Sequence, residues 1–94
     1  MMADNTYLIP TMPKPTDIMI AWMKEYMLRI TGEDWDISLQ TEMWDMQFIF
    51  RRGDFARKSG NFSFLDHMWM GDEIESFMGR NCDMIADIYK RELE

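Results

Sequence analysis

The chain has 94 residues, with 17 Asp and Glu against 10 Lys and Arg, and a formal net charge of −7. That balance argues against duplex DNA or an anionic membrane as a direct ligand, because both attract net basic surface. A single cysteine, Cys82, excludes an internal disulfide, and no apolar run approaches the roughly 20 residues that span a bilayer.

Charge is sorted into blocks along the chain. Residues 1–31 are balanced, whereas 32–45 hold Glu33, Asp34, Asp36, Glu42 and Asp45 with no base. Residues 46–65 reverse the sign with Arg51, Arg52, Arg57 and Lys58 against Asp54, and the chain from Asp66 onward is acidic again. The apolar set is twelve Met, six Phe, four Trp, three Tyr and no Val. Met, Ile and aromatic rings must therefore fill the interior, and Met adapts to irregular gaps. The same residues also suit an exposed contact patch, on a partner or a second copy.

In chain order, residues 1–15 read as an extended arm, since Pro10, Pro13 and Pro15 favour polyproline II and oppose a helix. A single globular domain is expected over 16–94. Asp17 reads as the N-cap of a helix over 18–31, with Ile18, Trp22, Glu25/Tyr26 and Arg29/Ile30 in repeat and Gly32 as a left-handed stop. Residues 35–51 admit two readings. Trp35, Ile37, Leu39 and Met43 alternate with polar residues, then Trp44, Met46, Phe48 and Phe50 do so after a one-residue slip. A bulged or broken strand shows that pattern. As a helix, the same residues split into two stripes. The clean alternation favours strands.

Residues 51–61 are turn-rich, and Phe62 and Phe64 suggest an antiparallel strand returning over 61–65. Asp72 with Glu75 forms a capping box that opens a helix over 73–92. Its packed face carries Ile74, Phe77/Met78, Asn81/Cys82, Ile85 and Ile88/Tyr89. The expected fold is α+β, with a helix at each end and a short antiparallel sheet between; an all-α bundle is the alternative.

Candidate chemistry is sparse. His67 and Cys82 have no local signature of a Cys–His nucleophile, and Cys82 on an apolar helix face reads as an inert thiol. One Cys and one His fall short of a zinc site, and neither a calcium loop nor a phosphate-cradling glycine loop is present. The reading is a non-enzyme with no metal and no cofactor. Arg52-Gly53-Asp54 reads as a turn around a small residue. A lone thiol with no basic, apolar leader suggests a reducing, cytoplasmic setting.

Two binding surfaces can be assembled from what remains. The first is acidic, from Glu33, Asp34, Asp36, Asp72, Glu73, Asp83 and Asp87, with Trp35, Trp44 and Trp69 as apolar anchors. It would dock on a basic surface of a nucleic-acid-handling protein, the acids steering and the rings holding. In composition the chain is similar in type to the compact acidic inhibitors that phages and mobile elements encode against host defences, a likeness that assigns no residue a role. The second surface is a basic-aromatic loop over 51–62, where Arg51, Arg52, Phe55, Arg57 and Lys58 would hold a nucleotide or phosphate in an oligomeric protein.

Overall fold

The computed structural model describes residues 15–43, 45–62 and 71–93. Helix α1 (Pro15–Thr31) begins on a proline, whose fixed φ and missing N–H suit a first turn. Asp17 therefore stands inside that turn, where its charge favours the helix dipole, and not at the expected N-cap. The stop is as expected: Gly32 takes φ +75° and its N–H donates to the Leu28 carbonyl at 2.8 Å. The buried stripe is Met19, Met23 and Met27, one position beyond the expected one, and Ile18 is exposed. Trp22, Tyr26, Ile20 and Ile30 flank that stripe half-buried. A helix apolar on so many sides leaves its orientation to tertiary packing.

The ambiguous central segment is strand. β1 (Asp36–Glu42) pairs antiparallel with β2 (Asp45–Arg52), setting Ile37 opposite Phe50 and Leu39 opposite Phe48. The one-residue slip in the pattern is a hairpin reversal between Glu42 and Asp45. β3 (Phe55–Lys58) returns along β2 after Gly53 and Asp54, so much of the stretch expected to be loop is a second hairpin. The sheet order is β1-β2-β3.

A bulge does occur, further along. Ile49 pairs with Lys58, yet Met46 pairs with Phe62, so the third strand holds one residue more than β2 between those pairs. Buried Ser59 closes the ladder there. Its N–H donates to the Phe48 carbonyl at 2.8 Å, and its Oγ accepts the Phe48 N–H at 2.9 Å. The Gly60 N–H donates to Asn81 Oδ1 at 2.8 Å. The extra residue returns Phe62 to the face of Phe48, where the two rings stack at 4.9 Å. Of the strand expected over 61–65, Phe62 is paired and the remainder lies outside the described residues.

Helix α2 (Gly71–Glu92) starts earlier than expected, which places Asp72 within the first turn and not at the N-cap. Every position assigned to its packed face is buried or half-buried. Both helices contribute to one core with the inner face of the sheet. Trp35, Phe55 and Tyr89 meet edge to face with centroids 4.9 to 5.6 Å apart, joining the α1–β1 connection, β3 and α2. The fold is thus α+β. Methionine fills much of its core, as the composition implied. The opposite sheet face carries Asp36, Ser38, Gln40, Glu42, Asp45, Gln47, Ile49, Arg51 and Lys58, and no described element covers it. Apart from helical Pro15, the expected N-terminal arm lies outside the described residues.

Candidate binding surface

The acidic residues singled out from the sequence do not form one surface. Asp36 is on the open face of the sheet, whereas Asp83 and Asp87 are exposed on α2, on the other side of the molecule. Glu73 is exposed near the start of α2, and the side chain of Asp72 lies outside the described residues. Glu33 is engaged internally: its Oε2 accepts the Tyr89 hydroxyl at 2.6 Å and its Oε1 accepts Arg52 Nη2 at 3.1 Å. Arg52 Nη1 also donates to the Asp34 carbonyl at 2.9 Å. The hydrogen bond from Tyr89, and then that from Arg52, hold the Glu33 carboxyl below its ordinary range. The same bond to Glu33 raises Tyr89. Asp83 accepts the Tyr26 hydroxyl at 2.7 Å, linking α2 to α1.

Nor does Trp35 serve as a surface anchor. Trp35 is 5% exposed, and its Nε1 donates to Thr31 Oγ1 at 2.9 Å, so it is a core residue. Trp44 and Trp69 lie outside the described residues.

Nor does the basic set converge. The two-residue alternation of the hairpin sends Arg52, Phe55 and Arg57 to the helix-facing side and Arg51 and Lys58 to the open side. Phe55 is buried, Arg57 lies 5.0 Å over its ring and pairs with Glu92, and Arg52 is held by Glu33. An open cleft of about 570 Å³ lies beside them, lined by Arg52, Gly53, Asp54, Phe55, Tyr89, Glu92 and Leu93. Asp54, Glu92 and neighbouring Glu33 outnumber Arg52 and Arg57. The cleft therefore offers an anion no surplus of positive charge among the described residues. Cys82 is fully buried, and burial, with a smaller effect of Asp83, pushes its thiol up to about 12. It is not poised as a nucleophile.

The turn between β1 and β2 stands out. Met43 is 92% exposed and has φ +54°. A two-residue hairpin loop requires positive φ at its first position, a place usually filled by Gly, Asn or Asp. The second hairpin meets that demand with Gly53 at φ +59°. Met pays about 1 kcal/mol for the same conformation. Flanking Met43, Glu42 and Asp45 are directly opposed in the register, and like charges so placed are unfavourable. A polar depression of about 360 Å³ adjoins the turn, lined by Gln40, Glu42, Met43, Asp45, Gln47 and Asn61. Glu42, Met43 and Asp45 are not among the candidate site residues that the sequence suggests. The one trace of them in the sequence is the slip in the alternation, at a Met-Trp pair set between two acids and without turn-forming residues.

The chain matches no protein-family model, no curated protein and no solved structure. Among the described residues, no helix is long and apolar enough to cross a membrane, and no cluster of His, Cys, Asp and Glu is suited to a metal ion.

Proposed function

We propose that the chain is a non-enzymatic protein-binding module that docks its β1–β2 turn on a basic surface of a nucleic-acid-handling protein, blocking or recruiting it. The observation that carries this reading is Met43. An exposed apolar side chain, a non-glycine residue in the left-handed conformation and an opposed acidic pair coincide at one turn, and each costs the fold stability or adds none. Local features that oppose stability concentrate at functional sites. Met43 would enter an apolar pocket, as flexible Met side chains do at adaptable interfaces, while Glu42 and Asp45 steer a basic rim onto it.

Capture of partners from the native host's lysate, with parallel low- and high-salt washes, tests the reading when wild type is compared with Met43→Gly. The variant keeps the turn and loses the anchor, so it should recover the salt-sensitive partner at a tenth of the wild-type level or less. Equal recovery by both proteins, or binding indifferent to salt, overturns the proposal. The nucleotide- or phosphate-binding alternative draws less support, because Arg52 and Arg57 already have carboxylate partners and Arg51 and Lys58 face away from them.

A further inference from the structure

The two edges of the sheet are unlike. β3 is four residues long, carries Arg57 and Lys58, and gives way to the Ser59 bulge, all of which discourage further pairing. β1 is seven residues long and contains no Lys, Arg or Pro, and its pairing with β2 has no break. Among the described residues nothing pairs with its outer side.

Which backbone groups face outward follows from the ladder. Phe48 and Met46 exchange hydrogen bonds with Ser59 and Phe62, so the even-numbered residues of β2 face the third strand. Its odd-numbered residues then face β1, opposite Asp36, Ser38, Gln40 and Glu42. The N–H and C=O groups of Ile37, Leu39 and Thr41 point away from the sheet. Ile37 is buried at 4% exposure, Leu39 is half-buried and Thr41 is exposed. The accessible edge therefore runs from Leu39 to the Met43 turn.

We propose that this edge receives an extended, basic protein segment as an added strand, pairing along Leu39 to Glu42 and ending at the Met43 turn. The idea rests on the protein-binding reading above and names the form of the partner. Backbone pairing would supply affinity, and alternating side chains would supply selection. Charge selects a basic occupant: Glu42 and Asp45 flank the accessible end and β1 carries no base, whereas Asp36, at the far end, already faces Arg51 across the ladder. A second copy of this chain would bring another Glu42 and Asp45 to the same few residues, and each copy carries −7.

The test uses a synthetic strand peptide with Lys at both ends of a Thr-Val alternation, and the same peptide N-methylated at alternate amides. Amide hydrogen exchange, read by NMR, should be fast at Leu39 and Thr41 in the free protein and slow at Ser38 and Gln40. The peptide should slow Leu39 and Thr41 at least tenfold, and its N-methylated form should not. Thr41→Pro removes an outward N–H without breaking the ladder to β2, and should weaken peptide binding tenfold or more. If that variant fails to fold, Thr41→Lys puts a repelling charge on the intact edge and should do the same. Protection of Leu39 and Thr41 without peptide, equal binding of the N-methylated form, or protection that grows with protein concentration alone overturns the proposal; the last outcome identifies a second copy. Partner capture lost in Met43→Gly but intact in Thr41→Pro overturns strand addition and leaves the protein-binding reading standing.

Discussion

Met43 and Glu33 illustrate two opposite uses of a single residue. Met43 occupies a backbone conformation that glycine adopts freely, so Met43→Gly should raise stability by about 1 kcal/mol even as it weakens partner capture. Urea denaturation of the two proteins checks this; a variant less stable than wild type would show that the turn is not strained. Glu33 works for the fold, joining Arg52 to Tyr89. Because its folded pKa is lowered, its contribution is complete above the ordinary carboxylate range and disappears as pH falls through the lowered value. Wild type should therefore exceed Glu33→Gln in stability at neutral pH, and the gap should close on acidification. Denaturation midpoints measured from neutral to acid pH follow that convergence, and a gap that widens toward acid contradicts it.

At the scale of elements, the two hairpins explain how much could be read beforehand. Both helices were legible, α2 with its whole packed face, because apolar residues recur on one side and Gly32 ends α1. β1 and β2 were legible as alternation, but their turn was not, because Met-Trp lacks the Asn-Gly or Gly-Asp chemistry that announces a two-residue loop. β3 was missed for another reason. It is four residues with two bases, and its neighbours Gly53, Ser59 and Gly60 all signal a turn. The bulge at Ser59 depends on a hydroxyl answering a backbone N–H across the ladder, which no local pattern reveals. Ser59→Ala would leave the Phe48 N–H without that acceptor in a buried setting, and should destabilise by about 1 to 3 kcal/mol. Thermal or urea unfolding of the variant measures it, and a change near zero would mean that Ser59 is dispensable to the ladder.

For the molecule as a whole, the blocks of charge fold onto one another. Arg52 meets Glu33 from the first acidic block, and Arg57 meets Glu92 from the last. The acidic surface expected from the sequence is divided as a result, since linear charge does not reveal which acids are satisfied within the chain. Cys82 reports on the integrity of the whole. It sits at the centre of the core, fully buried, with its thiol pushed up to about 12. Labelling with a thiol reagent should therefore proceed only through unfolding and accelerate along the urea transition. Labelling in native buffer at the rate of a free thiol would contradict this placement.

The links between α1, the α1–β1 connection and α2 span more than half of the chain: Tyr26 to Asp83 is 57 positions and Glu33 to Tyr89 is 56. The sheet between them is made of neighbours in sequence, two tight hairpins that can form as soon as they are synthesised. Phe48, Phe50 and Phe55 are then displayed on its inner face before α2 exists to cover them. Until the last quarter of the chain is made, α1 is the only described helix that can cover that apolar face. A chain that stops just before α2 would leave Phe55 without Tyr89 and Phe62 without Phe77, and should be prone to aggregation through that face.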